Sequence, residues 1–258
     1  MYKLFALFIG VLILGSCSKP TGSTANTGGS YKLSYGDSIL YLKPGSTNII
    51  TPLIHKNGVY TGFPDGIEID ENTGAIDLNE SETGLRYRIT HTAPDGSITE
   101  TKVVLAGITF KDHFYYLSAN DSVALPIYNA DASRVLPLTG SNFDEGNLAN
   151  TGGCAVKTDN GKINLKETIR NGVFGFPPRN DAQQTFEIKY RLNDASGKSL
   201  NKLKVLLYWY NTINDIPAYV WEILNDRTAQ GVFLRGSSSS VLSRTAKPRP
   251  PCIIIIDH

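Results

Sequence analysis

The chain has 258 residues, which is enough for two domains of about 100 residues each. It carries 25 Lys and Arg against 24 Asp and Glu, so its net charge of +1 excludes the basic surface of a typical nucleic-acid-binding protein. Hydrophobic residues make up 41% of the chain, which excludes disorder as its overall state. We therefore expect a folded protein that has no nucleic acid among its partners.

Residues 1–16 have the pattern of a secretory signal peptide. Lys3 supplies a positive charge, and the apolar run over residues 4–14 is shorter than the roughly 20 residues that a membrane-spanning helix needs. The run ends in Leu-Gly-Ser-Cys at residues 14–17, which resembles the lipobox of bacterial lipoproteins. This resemblance implies that the Cys17 thiol accepts a diacylglycerol and that Cys17 becomes the acylated, palmitate-bearing N-terminus after cleavage. The alternative is an ordinary secretory signal in which the Cys is incidental.

Residues 17–30 form the lipidated Cys and a tether whose Ser, Thr, Gly and Asn content is typical of a flexible linker. The lipoprotein resemblance implies that the membrane is a partner through the acylated Cys17. It also implies a cell-envelope location, at the outer membrane of a Bacteroidota-like bacterium. Residues 18–21 lack the acidic side chains that follow the lipidated Cys in many surface lipoproteins of that group. The sequence therefore leaves open whether the chain faces the periplasm or the cell surface.

The chain contains an internal repeat. Residues 66–80 align with residues 153–167 at five identical positions out of fifteen, and both stretches predict a strand, a tight turn and a second strand. Further along, residues 85–92 and 186–193 both alternate apolar and polar side chains, which is typical of strands with one buried face. The second copy carries an insert at residues 168–181, which we expect to be an exposed loop.

These patterns predict an all-β fold of two tandem antiparallel β-sandwiches, at residues 31–108 and 109–213, behind a lipoprotein signal peptide. The hairpin at residues 67–76 resembles that of cadherin-like and immunoglobulin-like domains, which implies the same sandwich architecture. Residues 214–258 are expected to dock on the second sandwich, because so few residues rarely form a core of their own. Within them, residues 217–224 fit a strand or a short helix, and residues 252–256 have the composition of a buried strand.

Candidate catalytic and metal-binding residues are few. No common catalytic or phosphate-binding motif occurs, so we expect a protein that is not an enzyme. His91 aligns with Leu192, and we interpret it as a core or rim histidine. Asn214 and Asp215 precede Pro217 and faintly resemble the calcium-binding linker of cadherins, which would make calcium the one candidate cofactor. The alternative is a turn that uses Asn and Asp for backbone reasons.

Aromatic residues near the end of the second repeat are the candidate ligand-binding residues. Tyr208, Trp209 and Tyr210 are consecutive, and Trp221 follows closely. Exposed rings of this kind would form a platform for sugars, whereas buried rings would be part of the core. Of the remaining cysteines, Cys154 and Cys252 could pair in an oxidising compartment or stay as buried thiols, and the sequence leaves both open.

The leading functional hypothesis is a non-enzymatic, lipid-anchored cell-envelope protein. It would present immunoglobulin- or cadherin-like domains to another envelope protein or to a polysaccharide. The alternative is a glycan-binding accessory lipoprotein of a nutrient-uptake system, which would use the aromatics at residues 208–210 or the insert around residues 174–178. Exposed aromatic side chains would favour the alternative.

Overall fold

A computed structural model describes residues 31–229 and 251–258. The described residues from Lys32 onward form one compact unit, and β-strand is its main secondary structure. The coarse expectation of a mostly β protein is therefore confirmed. The expected signal peptide, the expected lipidation site Cys17 and the expected tether lie outside the described residues, as do residues 230–250.

The first seven strands build two sheets. They are β1 (Ile39–Leu40), β2 (Ile49–Ile50), β3 (Val59–Phe63), β4 (Glu68–Ile69), β5 (Ile76–Asp77), β6 (Arg86–Thr92) and β7 (Ile98–Leu105). One sheet has the order β1–β7–β6–β3 and the other β2–β5–β4. The alternation that predicted β6 is confirmed, because Tyr87, Ile89 and His91 are buried while Arg88 is exposed. Within these two sheets only the β1–β7 pair is parallel.

The second half of the chain builds a larger sheet and two small ones. The strands are β8 (Ile108–Phe110), β9 (His113–Tyr116), β10 (Val123–Ala124), β11 (Pro126–Tyr128), β12 (Asn142–Phe143), β13 (Ile163–Asn164), β14 (Ala182–Arg191), β15 (Leu200–Tyr210) and β16 (Cys252–Ile256). The helices are α1 (Leu148–Thr151), α2 (Leu165–Arg170) and α3 (Ala218–Ala229). Five strands pair in the order β12–β14–β15–β16–β9, while β8 pairs with β11 and β10 with β13.

The C-terminal strand β16 lies inside the five-stranded sheet. All five of its residues are fully buried, so the buried strand expected at residues 252–256 is confirmed. The purely antiparallel pairing expected from the sequence differs from the structure here, because β16 runs parallel to both β15 and β9. A parallel connection needs a crossover of a dozen or more residues. The chain between β15 and β16 is long enough for it and includes α3, so residues 218–224 are helical rather than extended.

Side chains of β16 alternate between two apolar clusters, one on each face of the sheet. Ile253 and Ile255 join the larger cluster, which also contains Trp209. The other three β16 residues join a smaller cluster under α3, made of Tyr208, Tyr210, Ile216, Val220, Leu224, Cys252, Ile254 and Ile256. Each face of the sheet thus has its own core, and β16 contributes to both.

The insert at residues 168–181 is more ordered and more buried than the exposed loop expected from the sequence. Thr168 lies within α2 and is fully buried, where its hydroxyl accepts a hydrogen bond from the Ala155 N–H at 3.0 Å. Phe174 is also buried, and its ring stacks on Trp209 with 6.1 Å between centroids. The expectation of an exposed loop therefore holds for only part of the insert, because Thr168 and Phe174 anchor it to the core while residues 179–181 are exposed. Phe176 is the most exposed aromatic of the insert, with 77% of its surface accessible.

The two repeat copies share one packing contact at their turns. Gly74 has φ of +71° and lies under the ring of Tyr60, and Gly161 has φ of +70° and lies under the ring of Phe143. A Cβ at either glycine would come within 2.7 Å of a ring carbon. Glycine is therefore favoured at each turn for two reasons: the backbone there is left-handed, and the aromatic ring leaves no room for a Cβ. The repeat seen in the sequence thus corresponds to a repeated turn that is clamped by an aromatic side chain.

Tyr190 ties the second sheet to the segment that joins the two halves of the chain. Its hydroxyl accepts a hydrogen bond from the Ile108 N–H at 2.9 Å and lies 3.1 Å from the Thr83 hydroxyl. The ring is fully buried, and burial raises the pKa of Tyr190 to about 12. The phenol therefore stays protonated at neutral pH and can serve as both donor and acceptor. One side chain of β14 thus holds the chain immediately after β7.

The turn clamp predicts different costs for two glycine substitutions with nearly the same φ. Gly74→Ala is expected to lower the free energy of unfolding by about 2–4 kcal/mol, because it adds a clash with the Tyr60 ring to the strain of a positive φ. Gly45→Ala is the matched control, since Gly45 has φ of +69° and nothing within 4 Å of an added Cβ. It should cost only about 1 kcal/mol. Urea denaturation measures the free energy of unfolding of both variants. Equal losses would contradict the role of the Tyr60 ring.

The hydrogen bond between Tyr190 and Ile108 predicts the effect of removing the Tyr190 hydroxyl. Tyr190→Phe leaves the buried Ile108 N–H without its acceptor, so the free energy of unfolding is expected to fall by about 1–3 kcal/mol. Tyr116→Phe is the control, because no side-chain hydrogen bond of Tyr116 is seen within the described ranges, and it should change stability little. A Tyr190→Phe protein that unfolds at the wild-type urea concentration would contradict the role of the hydroxyl.

Candidate functional site at the end of β15

The aromatic triplet predicted as a ligand platform is buried. Tyr208 and Tyr210 stack on each other under α3, with 6.3 Å between ring centroids, while Trp209 points into the larger cluster on the opposite face. All three rings are nearly or fully inaccessible. The sequence did not reveal that α3 and β16 would cover both faces of this strand. The core-packing interpretation is therefore the one that the structure shows for these three residues.

Trp221 differs from the triplet because it is partly exposed. It lies on α3 with 38% of its surface accessible, and its ring packs against Phe114 of β9 with 4.5 Å between centroids. Tyr219 is 46% exposed on the same helix. Because Val220 faces the sheet and successive helical residues turn by about 100°, Tyr219 and Trp221 flank the buried stripe on its two sides.

Polar side chains gather where β15 ends. The Asn211 N–H donates to the Asn180 side-chain oxygen at 3.0 Å. Asp215 accepts hydrogen bonds from the Thr212 N–H at 2.9 Å and from the Thr212 hydroxyl at 2.8 Å. These bonds to Thr212 hold the pKa of Asp215 below its usual range, and the nearby Asn180 adds to the effect. Two segments that are distant in sequence, around residues 180 and 211–215, are thus brought together.

The calcium candidates fit the turn interpretation. Asp215 ends a short 3-10 helix at Ile213–Asp215 and forms a capping box with Thr212, so its carboxylate has a structural role. Across residues 31–229 and 251–258, no group of three or more His, Cys, Asp or Glu side chains could hold a metal ion. Within those residues, Asn214 and Asp215 therefore belong to no such group, and the contacts that the structure gives Asp215 are those of a turn.

Tyr210 forms the floor of this polar cluster. Its side chain is fully buried, and its hydroxyl lies close to Asp181 and Tyr219 but has no hydrogen bond of regular geometry to any described residue. Burial, together with the neighbouring Asp181, raises the pKa of Tyr210, so the phenol is neutral. The buried phenol hydroxyl of Tyr210 therefore lies beside the Asp181 carboxylate and the Tyr219 side chain.

We call this region the β15 end and define it as Asn180, Asp181, Asn211, Asp215 and Tyr219. The part of the insert that precedes Asn180 carries the exposed Phe176, and α3, which follows Asp215, carries the partly exposed Trp221. The insert that carries Phe176 runs into β14 at Ala182, which pairs with Trp209 near the C-terminal end of β15. The region combines amide and carboxylate hydrogen-bonding groups with exposed aromatic rings. Sequence reasoning missed Asn180 and Asp181 as site residues, because only the register of β14 on β15 brings them to the end of β15.

The other candidate residues are placed in the core. His91 is buried, its Nε2 lies 3.1 Å from the Asn57 carbonyl oxygen, and its ring packs on Tyr60, as expected for a core histidine. Cys154 and Cys252 are both free and buried, and they belong to different apolar clusters. Burial raises the pKa of Cys154 to about 12. The structure thus favours buried thiols over a disulfide.

No protein-family model matches the chain, and a search of curated proteins finds no significant match. Among the described residues, none of the helices combines the length and the apolar character that crossing a bilayer would require. A functional proposal for this chain therefore depends on its own residues, namely the lipobox-like sequence at residues 14–17 and the β15 end.

Proposed function

We propose that this chain is a non-enzymatic, lipid-anchored cell-envelope protein of a Bacteroidota-like bacterium that binds a partner through the β15 end. The lipobox at residues 14–17 supports lipid anchoring at Cys17, and the tether that follows would separate the folded unit from the membrane. The repeated turn in the two halves supports tandem immunoglobulin- or cadherin-like modules. The partner is another envelope protein or a polysaccharide.

The observation that carries this proposal is that two exposed aromatic residues, Phe176 in the insert and Trp221 on α3, each lie next to a buried or packed aromatic neighbour. Phe176 is exposed two residues after Phe174, which is locked against Trp209 in the core. Trp221 is partly exposed while it packs on Phe114. Aromatic side chains held in this way lose little conformational entropy on binding, which is why such residues dominate many binding surfaces.

A second candidate function is glycan binding by an accessory lipoprotein of a nutrient-uptake system. The chemistry of the β15 end favours it specifically. The side chains of Asn180, Asp181 and Asp215 offer acceptors and donors suited to sugar hydroxyl groups, and the rings of Phe176 and Trp221 offer faces for stacking. This function would use the exposed aromatics rather than residues 208–210, which are buried.

Lipidation at Cys17 predicts that the protein partitions into the detergent phase. The full chain, expressed in a Gram-negative host, is expected to enter the detergent phase of a Triton X-114 separation and to incorporate labelled palmitate, because acyl chains on Cys17 add apolar surface. Cys17→Ser should move to the aqueous phase and lose the label. Ser18→Ala, one residue beyond the lipobox, should behave as the wild type. Labelled palmitate on the Cys17→Ser protein would contradict anchoring at this residue.

The β15 end predicts which substitutions weaken binding. The membrane-extracted full chain is applied to a glycan array and to envelope-protein extracts from its host. Any partner found is expected to bind about tenfold more weakly to Phe176→Ala or Trp221→Ala, a loss of roughly 1.4 kcal/mol. Val135→Ala is the control, since Val135 is highly exposed but lies in a loop outside the β15 end, and it should leave binding unchanged.

Three outcomes separate the two functions. Saturable binding to a glycan that depends on Phe176 or Trp221 would favour the uptake role. Binding to a protein with the same dependence would favour the envelope-interaction role. Full-strength binding by both variants, with circular dichroism spectra that match the wild type, would place the binding surface elsewhere and contradict the role of the β15 end.

A further inference from the structure

The place that β16 fills in the five-stranded sheet is a slot between two parallel strands. Ile253, Ile254, Ile255 and Ile256 pair with residues His113–Tyr116 of β9 on one side, and residues of β16 pair with β15 on the other. In the first half of the chain the corresponding strands β1 and β7 pair directly. The second sheet therefore differs from the first by one inserted strand, and that strand comes from the far end of the chain.

Only a strand with particular chemical properties can occupy the slot between β9 and β15. Both neighbouring strands present backbone groups that need a partner, and both faces of the inserted strand are buried in apolar clusters. An occupant must therefore be extended, parallel and apolar at five consecutive positions. Among the described strands of five or more residues, only β16, with the sequence Cys-Ile-Ile-Ile-Ile, has no polar side chain.

The connection to the slot is long. From the end of α3 at Ala229 to Pro251 the sequence has 21 intervening residues, which could span up to about 70 Å when fully extended. Strand β16 makes the same contacts with β9, β15 and α3 whether these belong to its own chain or to another copy. Exchange of an identical element between copies is a low-cost route to association, because the contacts in the two forms are the same.

We propose that the slot between β9 and β15 is a strand-acceptor site whose partner is a second copy of this chain, which inserts its own residues 252–256. Reciprocal exchange closes a dimer, and head-to-tail insertion builds a chain of copies. This interaction does not depend on the lipid anchor or on the β15 end as a binding surface.

A disulfide across the slot can report which copy supplies the strand. Leu206 of β15 and Cys252 of β16 are register partners, and neighbouring strands lie about 4.8 Å apart, within the range of a disulfide. The test uses the full chain with Cys17→Ser and Leu206→Cys, refolded over a range of concentrations, oxidised and separated without reductant under denaturing conditions. The expected result is a disulfide-linked dimer or ladder, with a dimer-to-monomer ratio that rises about tenfold per tenfold increase in concentration.

The contradicting results are equally specific. A disulfide that forms only within single chains at every concentration would overturn the proposal, and so would the absence of any Leu206→Cys disulfide. The control adds Cys252→Ser, which should abolish the dimer. Dimers that persist would show that the link does not involve Cys252 and would overturn the assignment. A second measurement needs no new thiol: wild-type full chains with two different affinity tags are refolded together, and they should co-purify. Complete separation of the tags would overturn exchange.

Discussion

The pairing of β16 with two parallel neighbours is the constraint on which the second half of the structure depends. Backbone hydrogen bonds on both sides of this strand remove what would otherwise be two open strand edges, on β15 and on β9. The same five residues place Ile253 and Ile255 in one core and Ile254 and Ile256 in the other. The strand β16 thus contributes to both apolar layers at once, and α3 packs on a surface that β15 and β16 form together.

The two halves are linked by contacts that leave little freedom at their junction. Gly107 has φ of +152°, and a Cβ there would lie 2.5 Å from the Tyr190 hydroxyl oxygen, so the chain after β7 passes directly against that side chain. Thr83, from the turn before β6, meets the same hydroxyl. Because one buried phenol contacts both the first half and the connecting segment, the junction is specified by a polar contact as well as by apolar packing.

The sequence predicted local elements well and long-range pairing poorly, for physical reasons. Alternating side chains marked β6 and β14, and the unbroken apolar run marked β16, since burial dictates these patterns directly. The position of β16 in the sheet could not be predicted, because any fully apolar strand fits any slot that is buried on both faces. Burial of residues 208–210 followed from that placement. The β15 end was missed because Asn180 and Asn211 are neighbours only through strand register.

The strand slot and the β15 end are connected through the last residues of the chain. Beyond β16, the Asp257 N–H donates to the Tyr210 carbonyl at 3.2 Å, and the His258 N–H donates to the Asn211 carbonyl at 3.1 Å. Asn211 in turn holds Asn180 through its own N–H. The backbone that positions the polar cluster is therefore fixed by the strand seated in the slot, whichever copy supplies it. Since Trp221 rests on Phe114 of the opposite neighbour, β9, both borders of the inserted strand contribute to the surface that we propose binds a partner.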